Sequence, residues 1–213
     1  MIGQGQIVFV VDDDPRVCEA ICDLLAATGI EAVSFGSVAE YVAFTRPDAP
    51  ACLVLDVELP DINGLEFQRQ AAQAEHPPIV FITGHGDIPS SVRAIKGGAV
   101  DFLTKPFADH VLLDAIRSAV ERDKEARRNR EELARLGARL ATLTPREREV
   151  LPLVVSGLLN KQAAQALGIS ETTLEIHRGK IMRKMAVASL ADLVRIAGKL
   201  GIEVTHSRRT GAE

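Results

Sequence analysis

Three consecutive aspartates, Asp12, Asp13 and Asp14, close the apolar run at residues 7–11, and Asp56 closes a second apolar run. Thr83 and Lys105 stand at the ends of two more. Carboxylates gathered in one place repel one another unless a cation holds them or their pKa values rise, and a water-accessible pocket of hard oxygen donors suits Mg²⁺. Beside such an ion Asp56 is set up to attack a phosphoryl group as a nucleophile. Mg²⁺ and Lys105 would stabilise charge on the transferred oxygens, Thr83 would donate a hydrogen bond, and the product would be an aspartyl phosphate. Asp14, directly before Pro15, reads instead as a helix cap with proline in the first turn.

For these residues to meet, the elements carrying them must end at one edge. Short apolar runs at 7–11, 32–35, 52–55, 79–83 and 100–103 read as strands. Helical patterns at 15–27, 38–45, 65–74 and 89–96, and one starting near Asp109, lie between and after them. Strands alternating with helices predict a parallel sheet covered on both faces, because parallel strands need crossover helices. Five such units fit a flavodoxin-like α/β fold of strand order 2-1-3-4-5, in which functional residues gather where the strand carboxyl ends open onto a crevice. Residues 121–139, dense in charge and helix formers, predict a solvated helix linking two domains. Leu133, Leu136, Leu140 and Leu143 on and beyond it make a short three-four-three seam, too few heptads for a coiled coil. After Thr142 the strands stop, and short helices follow at 145–155, 161–167, 171–185 and 189–200.

The chain has 213 residues and a net charge of −4, which conceals an asymmetry. Residues 1–120 carry seven Lys/Arg against seventeen Asp/Glu, and residues 141–213 carry eleven against seven. An acidic first half and a basic second half hint that the second meets nucleic acid. No apolar run approaches the roughly 18–20 residues of a membrane span, and no secretory signal is visible, so a cytoplasmic protein that does not meet membranes is expected. Cys18, Cys22 and Cys52 are odd in number and sit in apolar-patterned segments, which predicts reduced core residues.

The motifs "VVDDD", "LVLDVELPDINGLEF", "FITGHGD" and "DFLTKPF", in this order over residues 6–120, resemble the receiver domain of two-component response regulators. The resemblance implies that Asp56 is the phosphoacceptor, Asp13 a direct Mg²⁺ ligand, Asp12 a ligand largely through water, and the Glu58 backbone carbonyl a further contact. It assigns Thr83 and Lys105 to phosphate sensing, makes Lys105–Pro106 a candidate cis peptide, and makes Phe102 the aromatic switch that turns inward as Thr83 moves. Glu58 and His85, two residues beyond Asp56 and Thr83, are placed to tune hydrolysis by seating or blocking a water.

In the basic half, Thr144-Pro145-Arg146-Glu147 has the pattern of a capping box. Helix, Gly168-Ile169-Ser170 and helix then spell a helix-turn-helix able to lay its second helix in a major groove. His177, Arg178, Lys180, Arg183 and Lys184 offer donors to DNA, while Leu174, Ile181 and Met185 keep the packing side. The stretch resembles the LuxR-type helix-turn-helix, and the whole chain is similar to FixJ/NarL-type response regulators. The boundaries expected are a receiver at 1–120, a helical linker at 121–141, a small all-α DNA-binding domain at 142–205 and a tail at 206–213. The resemblance puts Glu175, Ile176 and Gly179 toward bases, and Lys161, Thr172, Arg178 and Lys180 toward phosphates or groove walls. It gives the final helix to pairing of DNA-binding domains. Glu175 departs from the lysine that many members carry; an acidic side chain there either accepts from a cytosine amine or weakens binding by repulsion.

The function implied is a transcription regulator that accepts a phosphoryl group from a sensor histidine kinase. It would bind double-stranded DNA as a homodimer on phosphorylation, with RNA polymerase a further partner, and catalyse only its own phosphotransfer and dephosphorylation. Two other functions compete with this one. A DNA-binding protein with an inert, dimerising receiver does not need the intact set Asp12, Asp13, Asp56, Thr83 and Lys105. A phosphatase of the aspartyl-phosphate type wants a second aspartate two residues beyond the nucleophile, where this chain has Glu58.

Overall fold

The computed structural model describes residues 5–71 and 76–203. The predicted end of the third helix at Ala74, positions 204 and 205 of the expected DNA-binding domain, and the tail at 206–213 lie outside the described residues. The chain forms two compact units that part between Arg127 and Arg128.

In the first unit, β1 (Ile7–Val11), β2 (Glu31–Phe35), β3 (Ala51–Asp56), β4 (Ile79–Thr83) and β5 (Asp101–Thr104) alternate with α1 (Pro15–Ala27), α2 (Val38–Ala43), α3 (Gly64–Ala71) and α4 (Ile88–Lys96), and α5 (Asp109–Ala141) follows. All strand pairs are parallel, in the order β2-β1-β3-β4-β5. The central strands β1, β3 and β4 are buried along their whole length, and this is why they read as unbroken apolar runs. Their side chains alternate between two cores. Phe9, Leu53, Leu55 and Phe81 point to the face covered by α2, α3 and α4; Val10, Cys52, Val54 and Ile82 meet Ile21, Leu25, Leu112 and Ile116 of α1 and α5. Burying each such aliphatic or aromatic side chain contributes about 1.5–3 kcal/mol.

Some boundaries differ from the pattern-based ones for identifiable reasons. β3 extends through Asp56, which pairs with Ile82, so the candidate nucleophile belongs to the ladder itself. α2 stops at Ala43 because Phe44 turns extended and lays its ring against Phe9 and Phe35. α4 starts one residue early, capped by Asp87, whose carboxylate accepts from Ser90 N. The segment at 121–139 continues α5 as one helix, with no proline to break it. Cys18 and Cys52 are buried, Cys22 is half-buried, and all three are free.

In the second unit, α6 (Pro145–Val155), α7 (Asn160–Leu167), α8 (Glu171–Met185) and α9 (Leu190–Lys199) enclose a core built on Val150, Leu151, Leu174, Ile181 and Leu193. Thr144 and Glu147 form the expected capping box. Glu147 is also bonded to Lys184 at 2.6 Å, which joins the start of α6 to the end of α8. Of the leucine seam, Leu136 and Leu143 are buried, Leu140 packs on this unit's core, and Leu133 is exposed, so most of it is turned inward.

Candidate functional site

The register Val11↔Leu55 brings the end of β1 beside the end of β3, so Asp12 and Asp13 follow where Asp56 ends its strand. One carboxylate oxygen from each of the three lies within 4.8 Å of the others. Asp12 and Asp56 are buried and Asp13 is exposed. Lys105, whose backbone N–H donates to Thr83 O at 2.8 Å, reaches in from the end of β5. Its Nζ donates to Asp12 Oδ2 at 2.5 Å and to Asp56 Oδ2 at 2.7 Å. Burial raises the Asp12 carboxyl against the lowering pull of the Lys105 bond. For Lys105 burial is the largest single influence and acts downward, but the bonds to Asp12 and Asp56 together outweigh it and the ammonium is held. The remaining backbone donors tighten the pocket: Asp14 N bonds Asp12 Oδ1 at 3.0 Å, and Glu58 N bonds Asp56 Oδ1 at 3.1 Å.

Asp14 takes a separate part. Its carboxylate caps α1 by accepting from Arg16 N at 2.9 Å, and the Arg16 guanidinium holds its carboxyl down at about 2. The Lys105–Pro106 peptide is cis. Thr83 is fully buried, and its hydroxyl donates to His85 O and accepts from His85 N. The side chains of Glu58 and His85 meet at 3.2 Å on the exposed rim. Phe102 is half-buried, with its ring centroid 6.2 Å from that of Phe81.

The donor set tests well against a hard divalent ion. Three carboxylates converge, two of them buried, and the geometry already accommodates a cationic group between Asp12 and Asp56. Oxygen-only sites of this kind suit Mg²⁺, which is bound through one or two carboxylates and keeps several waters.

In the second unit α7 ends on Gly168 in the left-handed conformation, φ 62°, and α8 opens on Ser170, whose hydroxyl accepts from Thr173 N. Leu174, Ile181 and Met185 face the core. Thr172, Glu175, Ile176, Gly179 and Arg183 form the exposed stripe opposite, with Lys180 at its border and Arg178 half-buried beside it. Lys161 is exposed in the first turn of α7.

Three contributors escaped the sequence reading. Gly64 packs so closely on β3 that an added Cβ would lie 2.4 Å from Asp56 O, a contact only glycine permits. Leu159 occupies the N-cap of α7 without an acceptor side chain; only the returning half of a capping box is present, Leu159 N to Gln162 Oε1. Asn160 bonds both Glu175 and Arg178 of α8. Gly64 stands in the quoted "DINGLEF" motif, but nothing in local sequence marks the other two.

Residues 8–117 match the response regulator receiver domain, and residues 141–197 match the bacterial regulatory proteins of the luxR family. The chain is 50% identical to nodulation protein W of Bradyrhizobium diazoefficiens, over 96% of this chain and 90% of that protein. It is 41% identical to the transcriptional regulatory protein FixJ of Azorhizobium caulinodans, over 92% and 93% respectively. Among solved structures, that of the response regulator StyR superposes with a TM-score of 0.78 at 45% identity, covering 92% of this chain and 99% of that one. Among the described residues no helix is long and apolar enough to cross a membrane.

Proposed function

The chain belongs to the two-component response regulators that join a receiver domain to a LuxR-type DNA-binding domain, a family of transcription regulators, and on that premise we propose that Asp56 is its phosphoacceptor. The observation that carries this reading is the seat of Lys105, whose ammonium bonds Asp12 and Asp56 together at the carboxyl end of the sheet. A sensor histidine kinase is the donor. The apolar cleft lined by Val17, Ala20, Leu24, Pro106 and Phe107 beside Lys105 is the surface we assign to it.

Asp12, Asp13, Asp56 and the Glu58 carbonyl are the groups that would hold Mg²⁺. When bound, the ion supplies positive charge that lets anionic carboxylate and phosphoryl oxygens approach. An Asp56 carboxylate oxygen attacks phosphorus as the donor's bond to phosphorus breaks. Lys105, already within bonding distance of Asp56, follows the new phosphoryl oxygens and stabilises their charge. The Thr83 hydroxyl exchanges its His85 partner for a phosphoryl oxygen, and the half-buried Phe102 turns into the space that this movement opens. The Glu58–His85 pair on the rim regulates water access and hence the lifetime of the product.

The consequence is a shift between two receiver states, which requires the phosphoryl group to bind one of them better. On α4, Ile88, Val92 and Ile95 are exposed at helical spacing, an apolar stripe that supports pairing with a second copy. Two helix-turn-helix units then meet two half-sites of double-stranded DNA, with Lys161, Thr172, Arg178 and Lys180 on phosphates or groove walls and Glu175, Ile176 and Gly179 toward bases. RNA polymerase is the next partner in line, and a regulator of DNA works where the DNA is, in the cytoplasm. The phosphoacceptor is tested by incubating the full chain with Mg²⁺ and a small acyl phosphate and measuring intact mass. One added phosphoryl group on the wild type and none on Asp56→Asn is expected; equal labelling of both proteins would overturn the assignment.

A further inference from the structure

A hydrogen-bonded chain ties the exposed stripe of α8 to the start of α7. Asn160, half-buried at the first position of α7, donates from Nδ2 to Glu175 Oε1 at 3.1 Å and accepts on Oδ1 from Arg178 Nη1 at 3.1 Å. Chemistry dictates this order. A guanidinium only donates and a carboxylate only accepts, so an amide between them must turn its oxygen to Arg178 and its amino group to Glu175. The three side chains therefore hold one another in place, and the Arg178 charge is coupled through the amide to the Glu175 carboxylate. Glu175 stays exposed, one turn before Gly179, where an added Cβ would meet nothing within 4 Å. The stripe around it is open to an approaching surface.

A carboxylate fixed there has only acceptors to offer. In the major groove the donors are the exocyclic amines of cytosine and adenine. Guanine shows two acceptors, thymine an acceptor and a methyl group, and adenine sets its N7 acceptor beside the amine. Cytosine alone presents a donor with no acceptor next to it on the same base. We infer that Asn160 is a positioning residue that holds Glu175 as a fixed acceptor, and that Glu175 selects cytosine at one position of each half-site. The inference rests on the DNA-binding reading of the second unit.

In vitro selection from randomised duplexes, using the full chain, tests it. The wild type should enrich cytosine at one position per half-site by about tenfold or more over guanine and thymine. Glu175→Gln, whose amide also donates, should lose that preference at that position alone. Asn160→Ala and Asn160→Ser, the latter a residue well suited to a helix start, should relax the base preference at the same position and at no other. An unaltered base profile in Glu175→Gln overturns the selection role. Asn160 variants that retain the profile, or that weaken every position uniformly, overturn the positioning role. A wild type that enriches no sequence and retains no duplex overturns the DNA-binding reading itself.

Discussion

Replacing Lys105 by methionine removes the one charge bonded to both buried carboxylates while keeping an unbranched side chain of similar length. Asp12 and Asp56 then face each other with oxygens within 4.8 Å. At an effective dielectric constant of about 20, two unit charges that far apart repel by about 3–4 kcal/mol. Breaking a buried ion pair by deleting one partner costs a similar amount, about 3–5 kcal/mol. A unit of this size is stable by only about 5–15 kcal/mol, so a large fraction of the total is at stake. With a urea slope of about 2 kcal/mol per molar, the midpoint in metal-free buffer should fall by about 2 M. The chain has one tyrosine and no tryptophan, and Tyr41 is buried in the first unit. Its fluorescence therefore follows the unfolding of that unit alone. Adding Mg²⁺ should raise the midpoint of Lys105→Met more than that of the wild type, because the ion takes over the neutralising part. Equal midpoints without metal, or a Mg²⁺ effect no larger in the variant, would show that Lys105 does not neutralise this carboxylate pair.

Ile176 is 53% exposed on the stripe proposed to face DNA, so replacing thymine by deoxyuridine across a bound duplex should weaken binding about fourfold at one position, the value of one buried methyl group. Fluorescence anisotropy reads this, and Ile176→Ala should erase the difference; a wild type blind to every such replacement counts against the placement. The Lys184 ammonium, and after it the Thr144 N–H, hold the Glu147 carboxyl below its ordinary value of 4.5. The folded second unit therefore binds fewer protons than the unfolded chain near that pH. This contribution is complete above the ordinary value and is lost as pH falls through the depressed one. Glu147→Gln should melt lower than the wild type at pH 7 and converge with it in acid, whereas parallel melting curves from neutral to acid pH would sink the idea. Leu159, 69% exposed at an N-cap position with φ −63° and ψ 150°, should gain about 1 kcal/mol when replaced by serine. Calorimetry should show the transition of the second unit moving up by about 4–8 °C, and an unmoved transition would show that the missing acceptor does not matter.

Much of the fold was legible because its signals are local. The fully buried strands β1, β3 and β4 read as nearly continuous apolar runs, which close on Asp56 and Thr83 or just before Asp12. Asp14 and Thr144 announce helix starts because an acceptor side chain there meets free backbone N–H groups. What could not be read depends on distant parts of the chain meeting. That Lys105 bridges Asp12 and Asp56 is a matter of where a long flexible side chain lands across three strands. The Asn160–Glu175 bond depends on how α7 crosses α8, and the need for Gly64 appears only once its turn folds back over Asp56. Phe44 reads as helix from its neighbours, yet it leaves α2 to join the Phe9 and Phe35 rings. Composition marks a change near residue 121, where charge becomes dense, but it does not show that α5 simply continues through that point.

The central claim is that phosphorylation of Asp56 controls the DNA-binding unit. The direct measurement treats the full chain with Mg²⁺ and a small acyl phosphate and then follows oligomer size and retention of a selected duplex on the same sample, with Asp56→Asn as control. The labelled wild type should become a dimer and hold DNA more tightly, while Asp56→Asn should do neither. Labelling of the wild type with no change in size or DNA retention would contradict it.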